Sequence, residues 1–192
     1  MFFSGKIVEY IEHRKFICAL VVGEEANRLR LVNQNGREIK LAQARVLHQT
    51  AKSTVAGESR EDAQRFLQDI NERRHGLTDQ VDLAEIWELA SEEQQNAFSP
   101  EFLAGLCFGE DASEDQVAAF LRTIFADRLF FKYREGLIQV HSPEVVEQLK
   151  LKAEKEREKE ALLGQGAEAL AMLSKGEDPG AWPEKAKCLA LV

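Results

Sequence analysis

The chain has 192 residues, of which 44% are hydrophobic and 30% are charged, and its formal net charge at pH 7 is −8. This length suits one or two domains with a real hydrophobic core. The longest apolar runs are too short to cross a bilayer, and the N-terminus lacks the basic-then-apolar order of a signal peptide, so we expect a cytoplasmic protein. The negative charge argues against a free-standing, tight nucleic-acid binder, because phosphate contacts normally require a basic surface.

Residues 1–50 have the pattern of a small β-barrel. Apolar and charged residues alternate around Leu29 and Leu31, so we expect one face of that strand to be buried and the other exposed. Asn35 and Gly36 predict a tight hairpin turn, because both residue types tolerate positive φ. Four or five short strands, the last at Val46-Leu47, predict an SH3-like barrel that avoids exposed edges by curling on itself.

Residues 59–142 predict a winged-helix-like domain, and the polar residues 51–58 before it predict a linker. Helix starts are marked by a capping side chain, followed by a proline or an acidic residue in some cases. The capping residues are Ser59, Asp82, Ser99 and Ser113. Two apolar stretches around Glu135-Gly136 then predict a β-hairpin. Three short helices followed by a hairpin is the element order of a winged helix.

The remaining residues predict a long charged helix and then the start of another domain. Ser142 and Pro143 mark the beginning of the helix, which we expect over residues 143–175, with acidic and basic residues interleaved at helical spacing. Residues 176–192 become apolar towards the end, which predicts that the chain is truncated within a following domain. The predicted fold class is therefore α+β: an SH3-like barrel, a winged-helix-like domain and a charged helix.

The sequence carries none of the common catalytic or cofactor-binding motifs. Its histidines are isolated, and its cysteines are too few and too scattered for metal-ligand spacing. The carboxylate pair Glu114-Asp115 lies in the first turn of a predicted helix, where the helix dipole favours acidic groups without any metal. We therefore predict no catalytic residue, no metal ligand and no cofactor in this chain.

Two groups of basic residues are candidates for nucleic-acid contact, one in the barrel and one in the predicted wing. The barrel group is Arg28, Arg30, Arg37, Lys40 and Arg45, and the wing group is Lys132 and Arg134. A solvated strand face explains the same spacing, so both interpretations stay open.

Sequence-specific DNA binding is not expected. A helix that reads the major groove presents Arg, Lys, Asn or Gln on its exposed face. The helix in that position is predicted to expose Glu114, Asp115, Arg122 and Asp127. Its acidic side chains would repel the phosphates.

Several stretches resemble the N-terminal, non-catalytic region of the ribonuclease II/R (RNB) family of 3′→5′ exoribonucleases. They are residues 81–89 (VDLAEIWEL), 99–109 (SPEFLAGLCFG), 120–122 (FLR), 127–132 (DRLFFK) and 142–150 (SPEVVEQLK). The resemblance spans roughly residues 1–185 and includes the leading barrel and the charged helix.

The resemblance implies an RNA-degrading hydrolase as the parent protein, in which clustered aspartates of a downstream catalytic domain bind Mg²⁺. No position here matches that cluster, so we expect this chain alone to be inactive. Its implied partners are single-stranded RNA and the catalytic domain, and its implied role is to guide RNA or to position that domain. The alternative is a protein–protein interaction scaffold of a multidomain RNA-processing protein, which the acidic net charge favours. No membrane partner is expected.

Overall fold

The computed structural model describes residues 3–50, 59–178 and 180. It contains two compact units, Met1–His141 and Ser142–Val192. The predicted linker at residues 51–58 lies outside the described residues. So do residue 179 and residues 181–192, which make up most of the predicted following domain.

The first unit begins with a five-stranded antiparallel sheet. The strands are β1 (Ile7–Glu12), β2 (Lys15–Glu25), β3 (Arg28–Asn33), β4 (Glu38–Ala42) and β5 (His48–Gln49). Their order in the sheet is β4-β3-β2-β1-β5, so β4 and β5 are the two edges. Within the described residues no ladder joins these edges, and the sheet is consistent with an SH3-like barrel that is not closed. The last strand lies at His48–Gln49 instead of Val46-Leu47, because a 3-10 turn at Gln43–Arg45 precedes it.

A helix, α1 (Arg60–Leu77), follows the sheet and explains why β2 is apolar on both faces. One face of the sheet forms a core of its own. This core contains Val8, Tyr10, Ile17, Ala19, Val21, Leu29, Leu31 and Leu41. The opposite face is covered by α1. The buried contacts there join Ile7, Cys18 and Leu20 of the sheet with Ala63, Leu67 and Ile70 of α1. The inward position expected for Leu29 and Leu31 is confirmed, since both are fully buried.

The rest of the first unit has the element order of a winged helix. Its elements are α2 (Leu83–Ser91), β6 (Ala97–Phe98), α3 (Pro100–Phe108), α4 (Glu114–Asp127), β7 (Phe131–Arg134) and β8 (Leu137–Val140). The strands form an antiparallel sheet in the order β6-β8-β7. The predicted hairpin is β7–β8, whereas β6 was missed because two residues are too few to show an alternating pattern. The α+β fold class is confirmed.

The four helices of this unit begin at the capping residues that the sequence marks. The side chains of Ser59, Asp82, Ser99 and Ser113 each accept a hydrogen bond from a backbone N–H in the first turn of the helix that follows. At Ser113 the full capping box is present, because Gln116 also accepts a hydrogen bond from the Ser113 backbone. Such caps satisfy N–H groups that have no partner within the helix.

The second unit consists, within its described residues, mainly of α5 (Pro143–Ser174). This helix begins directly after Ser142, and it continues through Gly164 and Gly166. Several of its large apolar side chains are exposed. They include Leu151, Leu163, Leu170 and Leu173. Among the described helices, none is long and apolar enough to cross a membrane.

Candidate nucleic-acid interface

Three of the predicted basic residues share the exposed face of β3 and β4. Arg30 lies directly opposite Lys40 in the ladder, and Arg28 is two residues before Arg30 on the same strand face. Glu25 of β2 lies among them: its Oε2 is 2.6 Å from Lys40 Nζ, and its Oε1 is 3.9 Å from Arg30 Nε. The hydrogen bond from Lys40 lowers the pKa of Glu25 below its ordinary value. The Glu25 carboxylate thus offsets part of the positive charge of this face, which we call the strand face (Glu25, Arg28, Arg30 and Lys40).

The other two basic residues of the barrel group lie elsewhere. Arg37 is exposed at the β3–β4 turn, and its backbone N–H donates to Asn33 Oδ1 at 3.0 Å. This turn is at the opposite end of the ladder from Arg28. Arg45 is in the 3-10 turn, where its Nη2 donates to the carbonyl oxygen of Ile11 at 3.2 Å. The five predicted residues therefore do not form one continuous patch.

The two basic residues of the wing lie on one face of β7. Lys132 and Arg134 are both exposed and are separated by one residue, so their side chains project from the same side of the strand. Arg134 Nε is 3.5 Å from Glu135 Oε1, in a pair whose side chains are both largely exposed. Exposed pairs of this kind contribute little to stability, so both cations remain accessible to solvent and to an anionic partner.

The prediction that α4 exposes Arg122 is wrong. Only 8% of this residue is exposed. Its Nη2 lies 2.5 Å from Glu9 Oε1 of β1, and its Nη1 donates to the carbonyl oxygen of Asn71 in α1 at 3.1 Å. The reason is tertiary: α4 packs against both α1 and the first sheet, so a side chain on the polar side of its helical pattern is covered by neighbouring elements.

Arg122 belongs to a buried group of four charged residues, which we call the ion cluster (Glu9, Arg74, Arg122 and Asp115). Arg74 Nη1 lies 3.0 Å from Glu9 Oε1, and Arg74 Nε donates to Asp115 Oδ1 at 2.7 Å. The side chains of Glu9 and Arg74 are almost completely buried, whereas that of Asp115 is 20% exposed. The cluster contains two acids and two bases and joins the first sheet to the winged helix through α1.

Several buried polar atoms of the ion cluster are not satisfied by hydrogen bonds. Arg74 Nη1 is close to Glu9 but not aligned for a hydrogen bond, and within the described residues Glu9 Oε2, Arg74 Nη2 and Arg122 Nε have no hydrogen-bond partner. Burial alone would raise the pKa of Glu9. The charges of Arg74 and Arg122, with hydrogen bonds from Arg122 and the Cys18 thiol, instead hold the pKa of Glu9 below its ordinary value. Glu9 is therefore ionised at neutral pH.

Sequence reasoning missed the ion cluster, although a signal for it is present. On α1 the buried positions Ala63, Leu67, Ile70 and Arg74 follow one another at helical spacing. On β1, Glu9 stands inside a run of buried residues. A charged residue at a position that the apolar pattern assigns to the interior indicates a buried charge with a partner, because unpaired charges are rarely buried.

The described residues contain no group of three or more His, Cys, Asp or Glu side chains that could hold a metal ion.

Comparison with known proteins gives a family match for the central part of the chain. Residues 68–148 match the family model described as "Ribonuclease II, winged helix domain". The match begins within α1 and covers every element from α2 to β8. Comparison with curated proteins and with solved structures gives no match. Residues 68–148 are thus similar to the winged helix domain of ribonuclease II, and the resemblance to the N-terminal region of a protein of that family is confirmed over this part of the chain.

Proposed function

We propose that this chain is an accessory region of an RNA-degrading 3′→5′ exoribonuclease, and that it guides single-stranded RNA or positions a catalytic domain without carrying the catalytic site. The observation that supports the proposal is the match of residues 68–148 to the winged helix domain of ribonuclease II. The ion cluster adds a physical reason for an accessory role. Because it joins the first sheet to the winged helix through buried ion pairs, we expect it to fix their relative orientation, as a guide for an RNA strand requires.

The exposed cations suit the weak and sequence-independent contacts that such guiding needs. The strand face offers Arg28, Arg30 and Lys40, and the wing offers Lys132 and Arg134. Arg37 and Arg45 are further candidates, each at a different place on the sheet. Phosphate contacts from Lys and Arg bind without reading sequence and lose affinity as salt increases. Glu25 reduces the charge of the strand face, so we expect weak binding by this region alone.

Fluorescence anisotropy with a 5′-labelled single-stranded RNA tests the proposal on the whole chain. We expect binding at about 50 mM salt that weakens markedly at about 200 mM. Arg28→Glu combined with Arg30→Glu should reduce the affinity. Arg65→Glu combined with Lys159→Glu is the matched control, since both residues are exposed and the charge change is the same. Absence of binding at low salt would contradict RNA guiding, and degradation of RNA by the pure chain with Mg²⁺ would contradict the absence of catalysis.

The alternative function, a protein-interaction scaffold, is favoured by one observation. The second unit presents exposed leucines along α5, a helix whose middle part is rich in charged residues. Exposed apolar side chains of this kind are typical of contact surfaces for other proteins. A chain that fails to bind RNA at low salt but binds a separately expressed ribonuclease II catalytic domain would support the scaffold instead of the RNA guide.

A further inference from the structure

A groove of about 540 Å³ lies in the first unit between the β1–β2 turn and the C-terminal end of α4. Three arginines and two phenylalanines dominate its lining: Arg14, Arg122 and Arg128, with Phe16 and Phe125. No acidic side chain is among the described residues that line it. Pockets for small ligands commonly have volumes of about 300–1,000 Å³, so the groove can hold a group of nucleotide size.

The aromatic residues of the groove form a connected row. The rings of Phe16 and Phe125 meet edge to face, with centroids 5.5 Å apart, and Phe125 contacts Tyr133 of the wing with centroids 5.2 Å apart. Phe16 and Phe125 are only partly buried, so each keeps some accessible surface. Partly exposed rings beside cations are the usual platform on which the bases of single-stranded nucleic acids stack.

Arg122 forms part of the wall, with its guanidinium beside an aromatic ring. Its guanidinium carbon lies 5.7 Å from the centroid of the Phe16 ring. The residue is more than nine-tenths buried, and its Nε has no hydrogen-bond partner among the described residues. That Nε is also inaccessible to solvent, so Arg122 contributes to the groove through its contact with the Phe16 ring and not through a free donor.

The other two arginines lie at backbone positions where arginine is unusual. Arg14 is in the two-residue turn between β1 and β2 with φ of 64°, and Arg128 ends α4 with φ of 59°. Glycine or asparagine is favoured at both kinds of position, because other L-residues are strained there. Arg128 is further held by a hydrogen bond of 3.2 Å from its Nε to the carbonyl oxygen of Phe125. Both side chains are exposed and can contact an anion in the groove.

Two acidic residues are close to the groove in sequence, but neither lines it. Glu12 lies opposite Lys15 across the β1–β2 turn. The carboxyl group of Asp127 accepts a hydrogen bond from the backbone of Leu129, and its partial burial raises its pKa. Glu9 already offsets the charge of Arg122, so the charge available to a ligand comes from Arg14 and Arg128.

We infer that this groove binds one nucleotide of single-stranded RNA, with its phosphate between Arg14 and Arg128 and its base against Phe16 and Phe125. The inference rests on the proposed RNA-guiding function and adds a binding site to it. None of the basic residues predicted from the sequence lines this site. An acidic peptide would satisfy the arginines but would leave the aromatic row without a planar partner. The combination of cations and rings therefore favours a nucleotide.

Salt-dependent binding of labelled single-stranded RNA by the whole chain tests the site. The variant Arg14→Asn with Arg128→Asn keeps a residue that tolerates positive φ at both turns. Its affinity at low salt should fall about tenfold, and the slope of log K against log salt should lose about 0.7 for each phosphate contact. Arg65→Asn with Lys159→Asn, which removes the same charge from exposed positions, should bind as the unmodified chain does.

A second variant tests the aromatic part of the site. Phe125→Leu keeps an apolar side chain and removes the flat ring, so it should weaken binding at least about fivefold while the salt slope stays unchanged. The thermal midpoint of each variant shows that it is folded.

The outcomes separate this inference from the proposed function. If the unmodified chain does not bind RNA, the proposed function fails for this region. If it binds but the groove variants bind as well as their control, the groove inference is wrong and the proposed function stands. If poly-glutamate competes with RNA as effectively as unlabelled RNA does, the groove is a site for acidic peptides, and the nucleotide assignment is wrong.

Discussion

Acidic and basic side chains gather at two places in the first unit, and the two places differ in almost every respect. In the ion cluster, Glu9 and Arg74 are almost completely buried and bind partners on other elements. On the strand face, Glu25 Oε2 lies 2.6 Å from Lys40 Nζ, and about half of each side chain is exposed. The two residues belong to β2 and β4, which lie on either side of β3. A pair of opposite charges thus stabilises the fold in one place and forms an accessible surface in the other.

The two pairs differ in their effect on stability because one is exposed to water and the other is buried. Water screens the exposed pair, so breaking it leaves two hydrated ions and changes the free energy of unfolding little. Removing one member of a buried pair leaves an uncompensated charge in a medium of low polarity, which is strongly destabilising. In these two places the charges that hold the fold are largely shielded from solvent, and the accessible charges contribute little to stability.

The largest expected effect is that of neutralising Glu9. The variant Glu9→Gln leaves Arg122 buried without a carboxylate partner and leaves Arg74 with only Asp115, and it should lower the free energy of unfolding by about 3–5 kcal/mol. Urea unfolding at pH 7 measures this change. Glu25→Gln, the same substitution at the exposed pair, is the matched control and should change the free energy of unfolding far less, because water already screens that pair. Equal losses in the two variants would remove the distinction between the cluster and the strand face.

The acid dependence of stability gives an intermediate effect. Because the pKa of Glu9 is lower in the folded chain than its ordinary value of 4.5, its contribution is fully present above that value. It is lost as the pH falls from about 4.5 through the folded pKa. In that interval the unmodified chain should lose up to about 1.4 kcal/mol per pH unit more than Glu9→Gln, corresponding to one proton. Parallel curves of unfolding free energy against pH, measured from pH 7 to pH 3, would contradict this role of Glu9.

The smallest expected effect is on the strand face. Lys40→Gln removes the hydrogen-bonded cation from Glu25, and we expect a change in unfolding free energy below about 1 kcal/mol that disappears in high salt. Urea unfolding at two salt concentrations measures it. A loss as large as that of Glu9→Gln would show that the exposed pair is structurally important.

Local patterns were sufficient to predict most of the elements. The side chains of Ser99 and Ser113 cap α3 and α4 because capping depends only on the next few residues. The alternation around Leu29 and Leu31 placed β3 correctly, since side chains of a strand point to opposite faces in turn. The strand β6 was missed because its two residues become a strand only by pairing with β8.

The candidate site was less predictable than the fold. Arg28, Arg30 and Lys40 were correctly placed on one exposed strand face, because their spacing in sequence fixes it. The presence of Glu25 beside them depends on the pairing of β2 with β3, which the pattern of either strand alone does not give. The groove is the hardest feature to predict from sequence. Arg14 and Arg128 are separated by most of the first unit, and they line the same groove only because of tertiary packing.

The sequence by itself determined the α+β class, the starts of the helices and the resemblance to the ribonuclease II family, because these depend on short-range periodicity and local motifs. Only the tertiary structure decided which charges are buried and which are available. Arg122 lies on the polar side of α4 by its spacing, yet the packing of α4 against α1 and β1 encloses it beside Glu9. Whether a side chain is buried depends on the elements that pack around it. The ion cluster exists only because β1, α1 and α4 meet.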